Sequence, residues 1–152
     1  MSNGNSVTLI GGVTKDLELR YTQSGLPNVT FSLAVSRRWQ NRQTNEWEEA
    51  TSYFDIVCWR ELAEHAAESL NKGSRVIVIG QMQQRTWETD DGQKRSKVEV
   101  LADEVGPSLR FATAQLNRAE RKQRTPDAPS SYMVPSASDI TPSSYVEEED
   151  PF

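Results

Sequence analysis

The sequence predicts an all-β fold, a five-stranded Greek-key barrel with one helix, followed by a disordered C-terminal tail. Three observations lead there. Up to about Phe111, apolar-rich runs alternate with turn signals at the spacing of all-β domains. One helical stretch interrupts those runs. Beyond Phe111 the large apolar groups thin out and Pro, Ser and Ala take over.

Six runs read as strands, at residues 7–13, 17–21, 29–39, 51–60, 75–87 and 96–105. Ser24-Gly25-Leu26-Pro27 supplies turn chemistry before the third, and Asp90-Asp91-Gly92 before the sixth. Gly11-Gly12 inside the first run predicts a bulge or a sharp bend where a sheet curls into a barrel. Residues 61–70 read as the helix, with Leu62, Ala66, Ser69 and Leu70 on one face. Gly73 is expected to take the left-handed position that ends it, and no good N-cap residue precedes it. A single helix among strands, with long third and fifth strands, fits a barrel of the oligonucleotide-binding (OB) type better than a sandwich. Residues 1–111 are assigned to this barrel, 112–146 to a disordered linker in which 112–122 could form a frayed helix, and 147–152 to an acidic terminal segment.

A chain of 152 residues accommodates one such domain and a tail. No apolar run approaches the roughly 20 residues that span a bilayer, and the N-terminus lacks the charged-then-apolar order of a signal peptide, so a soluble, cytoplasmic protein with no membrane partner is expected. Cys58 and His65 are the sole cysteine and histidine. No internal disulfide can form, a Cys/His metal cluster has nothing to draw on, and no cofactor is expected. The carboxylates show no spacing of a catalytic pair and no Gly-rich phosphate loop is present, which argues against an enzyme. The net charge of −5 is unevenly spread: residues 1–111 carry 13 Lys+Arg and 15 Asp+Glu, 112–125 carry 4 and 1, and 126–152 carry 0 and 6. The acidity lies mostly in the tail, and a near-neutral body can still gather its Arg and Lys in one groove.

The chemistry rests on aromatic residues interleaved with arginine. Trp39, Trp59 and Trp87 fall at the ends of long predicted strands. Residues i and i+2 share a strand face, so Arg37 with Trp39 and Arg85 with Trp87 each place a guanidinium beside an indole. That combination suits a stacked base with its phosphate nearby. In the fourth run Phe54, Ile56 and Cys58 form a core face, whereas Tyr53, Asp55, Val57 and Trp59 form an outward one. Val76 to Ile79 are apolar on both faces, which predicts burial on both sides; from Gln81 to Trp87 the strand turns polar and extends beyond the barrel. Trp39 shares its parity with Val29, Phe31, Leu33 and Val35, so strict alternation points it inward unless the strand twists out of the barrel. Trp47 is assigned to packing of the loop at 40–50, Cys58 to a small buried hydrophobe, and His65 to a solvated helix position.

The segments Val29 to Trp39, Tyr53 to Glu64, Leu70-Asn71-Lys72-Gly73-Ser74-Arg75-Val76 and Gly80-Gln81 to Trp87, with the terminal Asp150-Pro151-Phe152, together resemble the bacterial single-stranded DNA-binding protein family over the whole chain. The resemblance implies an OB barrel, usually a homotetramer, that wraps single-stranded DNA in replication, recombination and repair. It places stacking aromatics at Trp39, Tyr53, Trp59 and Trp87, basic contacts at Arg20, Lys72, Arg85 and Arg95, and a subunit contact at Phe54. It also implies a nucleoid-associated protein that recruits replication, recombination and repair proteins through Glu147, Glu148, Glu149, Asp150, Pro151 and Phe152. This sequence departs from the family pattern at Asp55 and Gln83, where basic residues are common, in having no Lys or Arg before Lys15, in its short linker without Gly/Gln enrichment, and at Asp150. The competing reading is a barrel that serves as an assembly module of a primosome or recombination complex with weak DNA binding. A small nuclease of this fold would need a carboxylate or His cluster that the sequence lacks.

Overall fold

The computed structural model describes residues 3–120. The order of elements is β1 (Val7–Val13), β2 (Arg20–Tyr21), β3 (Pro27–Gln40), β4 (Trp47–Trp59), α1 (Arg60–Ser69), β5 (Arg75–Glu88) and β6 (Lys94–Pro107). Neighbours across the sheet run β1-β5-β6-β4-β3-β2, and an additional β1–β3 pairing closes five strands into a barrel, with β2 attached to the edge of β3. The expected barrel and its single helix are both present.

The closure depends on β1 changing partners. Val7 to Gly12 pair with Gly80 to Arg75 of β5, and Gly12 and Val13 pair with Ala34 and Leu33 of β3. A Cβ added at Gly11 would overlap the Ala34 carbonyl oxygen, so the backbones can approach only where no side chain intervenes. The sharp bend expected at Gly11-Gly12 is this change of partner. The register irregularity lies instead between Ile79 and Gly80, against β6, where a Cβ on Gly80 would overlap the Leu101 carbonyl.

Inside the barrel, Val29, Leu33, Ile56, Cys58, Val76, Val78 and Val100 are fully buried, capped by Ala63, Ala66 and Leu70 of the helical segment. Burial pushes the Cys58 thiol up to about 12, so it stays protonated and unreactive in the folded chain. The buried helix face is Ala63, Ala66 and Leu70 with Leu62 alongside; Ser69, expected on that face, is exposed. Alanine at 63 and 66 lets the helix lie close on the barrel mouth, and this rotates the face away from Ser69. Trp59 stands at the N-cap without a side-chain cap bond, and Arg60, at φ 59°, makes the sharp turn from β4 into α1. Gly73 does take positive φ, at 89°, but in the tight turn from Asn71 to Ser74 (N–H to O 3.0 Å) rather than at the helix terminus, which is at Leu70.

Three further expectations are corrected. The run at 17–21 contributes only Arg20–Tyr21 as strand. Ile77 and Ile79 are not buried on both sides; they are exposed on the outer face of the single chain, beside Ile10. The 40–50 stretch is no irregular loop, because β3 and β4 pair all the way to Gln40 and Trp47, and Asn45 at φ 56° closes the hairpin between them. The compact unit runs to Gln115, and residues 112–120 are exposed and not helical. The rest of the expected linker and the acidic segment 147–152 lie outside the described residues. No helix among the described residues is long and apolar enough to cross a membrane.

The two neighbouring glycines provide a test of closure. Gly11→Ala should destabilise the chain by about 1–3 kcal/mol or more in urea denaturation, as overpacking against an immovable backbone does. Gly12→Ala meets open space and should change stability little.

Candidate nucleic-acid interface

Directly paired residues of antiparallel strands project to the same side, so the register lays out the outer face. On β3 and β4 it runs Asn28–Trp59, Thr30–Val57, Ser32–Asp55 and Ala34–Tyr53. On β5 and β6 it runs Gln81–Leu101, Gln83–Glu99, Arg85–Lys97 and Trp87–Arg95. The parallel pairing of β4 with β6 at Val57 and Leu101 joins the two hairpins side by side. A groove of about 250 Å³ forms along this seam, with Asn28, Thr30, Val57 and Trp59 on one wall and Gln83, Arg85, Lys97, Glu99 and Leu101 on the other.

The electrostatics of the groove follow from one cross-strand pair. Arg85 and Lys97 stand directly opposite each other, and two like charges in that relation repel. Each has a carboxylate to offset it: Lys97 Nζ is 2.6 Å from Asp55 Oδ2, and Arg85 Nε is 3.9 Å from Glu99 Oε1. Asp55, which departs from the basic residue common in the resembling family, is thus the counter-ion of Lys97 across the β4–β6 seam. The guanidinium of Arg85 also lies over Trp87, 5.2 Å from the ring centroid.

The sequence-predicted residues distribute as follows. Trp59 and Arg85 line the groove, and Tyr53 stands farther along the same face of β4, 68% exposed. Trp87 and Arg95 are partners on the part of the β5–β6 hairpin that projects beyond the barrel. Arg20 joins the row through Asn28, its partner on β3 and the partner of Trp59 in turn; its guanidinium meets Glu18 at 3.2 Å. Lys72 does not join them. It sits in the α1–β5 turn, its backbone N–H donating to Asp16 Oδ1 at 2.8 Å. Trp39 is exposed, because β3 leaves the barrel after Val35; by alternation it stands on the opposite face of the β3–β4 hairpin from Tyr53, with Arg37 5.8 Å from its ring centroid. Phe54 is half-buried against the edge of the core. His65 is exposed on the helix.

Sequence reasoning missed Lys97, Asn28 and Thr30, whose role in the groove exists only through cross-strand register. It also misassigned Trp47. That residue is 60% exposed within β4, with Arg38 5.1 Å from its ring centroid. The signal available was Asn45 in a Thr-Asn-Glu turn that continues both strands. Among the described residues no group of three or more His, Cys, Asp or Glu is placed to hold a metal ion.

Residues 4–108 match the family described as "Single-strand binding protein family". A relative from Mycobacterium leprae named single-stranded DNA-binding protein is 48% identical over 123 residues, covering 80% of this chain and 73% of the relative. One of the same name from Corynebacterium glutamicum is 50% identical over 117 residues, covering 76% of this chain and 52% of its own longer one. Among solved structures, a chain described as "Plasmodium falciparum SSB complex with ssDNA" superposes with a TM-score of 0.65 at 27% identity, covering 71% of this chain and 97% of that one.

The Asp55–Lys97 pair is about one-third exposed on each side, so a double-mutant cycle with Asp55→Ala and Lys97→Ala should give a coupling of about 1 kcal/mol or less by denaturant titration. Asp55→Ala should cost more stability than the double substitution, because it alone leaves Lys97 facing Arg85 uncompensated. Equal costs would show that Asp55 does not offset the cross-strand repulsion.

Proposed function

The chain belongs to the single-strand binding protein family, and from that we propose that its outer face binds single-stranded DNA with little preference for sequence. The observation that carries the reading is the combination of Trp59 with Arg85 and Lys97 in one groove, with Tyr53 farther along the same face of β4. An unpaired base stacks on an aromatic ring for about 1–3 kcal/mol whatever its identity, because every base has a π-face. In a duplex those faces are occupied, so the double strand is a poor ligand. Trp59, Tyr53, Trp87 and Trp39 are the proposed stacking platforms. Arg85, Arg95, Arg20 and Arg37, with Lys97 added, are the proposed phosphate contacts; Lys72, in the α1–β5 turn, is proposed as a contact for a strand that runs beyond this row. The activity is binding without a catalytic step: coating and protecting strands exposed in replication, recombination and repair, at the nucleoid.

We further propose that copies assemble as a homotetramer. The row of Ile10, Ile77 and Ile79 exposed on the outer β1–β5 face supports self-association, since an apolar strip of that kind is costly to leave in water. Phe54 is retained as a proposed contact at the core's edge. The terminal Glu147-Glu148-Glu149-Asp150-Pro151-Phe152 is proposed to recruit replication, recombination and repair proteins. Its ring would enter an apolar pocket, the chain carboxylate would meet a partner cation, and the acids would steer approach to a basic rim.

Titration with oligo-dT should quench tryptophan fluorescence strongly and duplex of equal length far less. Trp59→Ala should weaken binding by about 1–3 kcal/mol without unfolding the barrel. Undiminished quenching by duplex, or none by oligo-dT, would refute DNA binding and favour the assembly-module reading.

Asp55→Asn should free Lys97 for a phosphate. The logarithmic salt slope of oligo-dT affinity should then steepen by about 0.7, the value for one additional neutralised phosphate on a single strand. An unchanged slope would mean that Asp55 does not withhold Lys97 from a phosphate.

Deleting 147–152 should leave oligo-dT affinity unchanged or slightly raised while abolishing pull-down of replication and repair proteins. Retention of the same proteins by the truncated chain would move recruitment to the barrel.

A further inference from the structure

Trp47 and Arg38 lie outside the proposed row, yet their placement continues it. Trp47 has the same parity on β4 as Tyr53 and Trp59, so alternation puts all three on one face of the strand. The step from Tyr53 to Trp47 is six residues, about 20 Å at the rise of an extended strand. The indole is 60% exposed, more than a ring used only for loop packing would be. Arg38 lies over the ring at 5.1 Å from the centroid and makes no ion pair among the described residues, and the exposed remainder of the indole is available to a base.

The hairpin tip is held in place rather than loose. Asn41 N–H donates to the Glu46 carbonyl and Asn45 N–H to the Asn41 carbonyl, both at 2.8 Å, and Asn41 Nδ2 donates to Glu48 Oε1 at 2.9 Å. A ring fixed on such a frame loses little freedom when a base stacks on it. Placement also answers a geometric difficulty. Tyr53 and Trp39 are on opposite faces of this hairpin, so one strand of DNA cannot meet both along a straight course. Trp47 pairs with Gln40, the residue next to Trp39, and so stands where a strand leaving Tyr53 would turn over the hairpin toward Trp39.

We propose that Trp47, backed by Arg38, is a further base-stacking platform that carries single-stranded DNA from the outer barrel face around the β3–β4 hairpin. This rests on the DNA-binding reading above and extends it to a distal site filled only by longer strands. Glu49, directly across from Arg38, keeps the local charge near neutral, so stacking rather than ion release supplies the contact.

The test is fluorescence anisotropy with labelled oligo-dT of increasing length on the full chain and on Trp47→Ala, Trp47→Phe, Trp47→Leu and Arg38→Ala. Trp47→Ala should bind the shortest competent oligonucleotide normally and lose about fivefold on long ones, equivalent to about 1 kcal/mol of stacking. Trp47→Phe should retain most of the affinity for long strands. Trp47→Leu, which keeps apolar bulk without a π-face, should match Trp47→Ala even if the alanine variant melts earlier. Equal affinity of Trp47→Ala and the unsubstituted chain at every length overturns the proposal, as does a Trp47→Leu variant that binds long strands fully. Failure of the unsubstituted chain to bind oligo-dT at all would overturn the underlying reading as well, and is distinguishable from either.

Discussion

The outer face exists because β1 can leave β5 and join β3 within two residues. That exchange requires backbone to lie against backbone at Gly11, where the Ala34 carbonyl takes the space a Cβ would fill. Gly80 does the same against Leu101 on the other side of β5. Without the β1–β3 contact the sheet would remain open along β1 and β3. In the closed barrel the β4–β6 pairing at Val57 and Leu101 joins the two hairpins along the seam of the groove.

The barrel then serves as a rigid base for two long hairpins. β3 and β4 extend well past the last buried residues, as do β5 and β6. Their polar outer halves could not be sustained by a core of their own. They hold because the paired backbone is continuous with the buried part, whose fully enclosed residues include Leu33, Ile56, Val78 and Val100. Aromatic rings that a core would normally claim are left on these extensions, each beside an arginine: Arg37 with Trp39, Arg38 with Trp47 and Arg85 with Trp87. The guanidinium lies over each ring and remains charged, so each pair presents apolar surface and a positive charge at one point.

Charge in the groove is moderated rather than maximised. Lys97 and Arg85 each keep a carboxylate partner, Asp55 and Glu99. Cations held in this way are pre-positioned, and any anion approaching them would compete with an acid already present. A body with nearly equal numbers of acids and bases can therefore present a usable cationic seam while the net charge of −5 is carried largely by the C-terminal residues.

Much of this was legible in the chain alone, because it depends on local pattern. Alternation and turn residues identified the strands, the two faces of β4 and the single helix. The Arg–X–Trp spacing identified two of the ring–guanidinium pairs, since residues two apart on a strand are neighbours whatever the fold. Other features were decided only by tertiary structure. Lys97 meets Asp55, and Asn28 meets Trp59, through pairings between strands far apart in sequence, and no local period encodes a cross-strand register. Ile77 and Ile79 read as buried because they are apolar, yet burial depends on what lies above them. Trp39 has the parity of a core residue and is exposed because the barrel ends before it, and Trp47 was lost in a presumed loop because the pairing that makes it a strand residue comes from β3. Sequence sets which side of a strand a residue occupies; only the closed barrel sets whether that side faces protein or water.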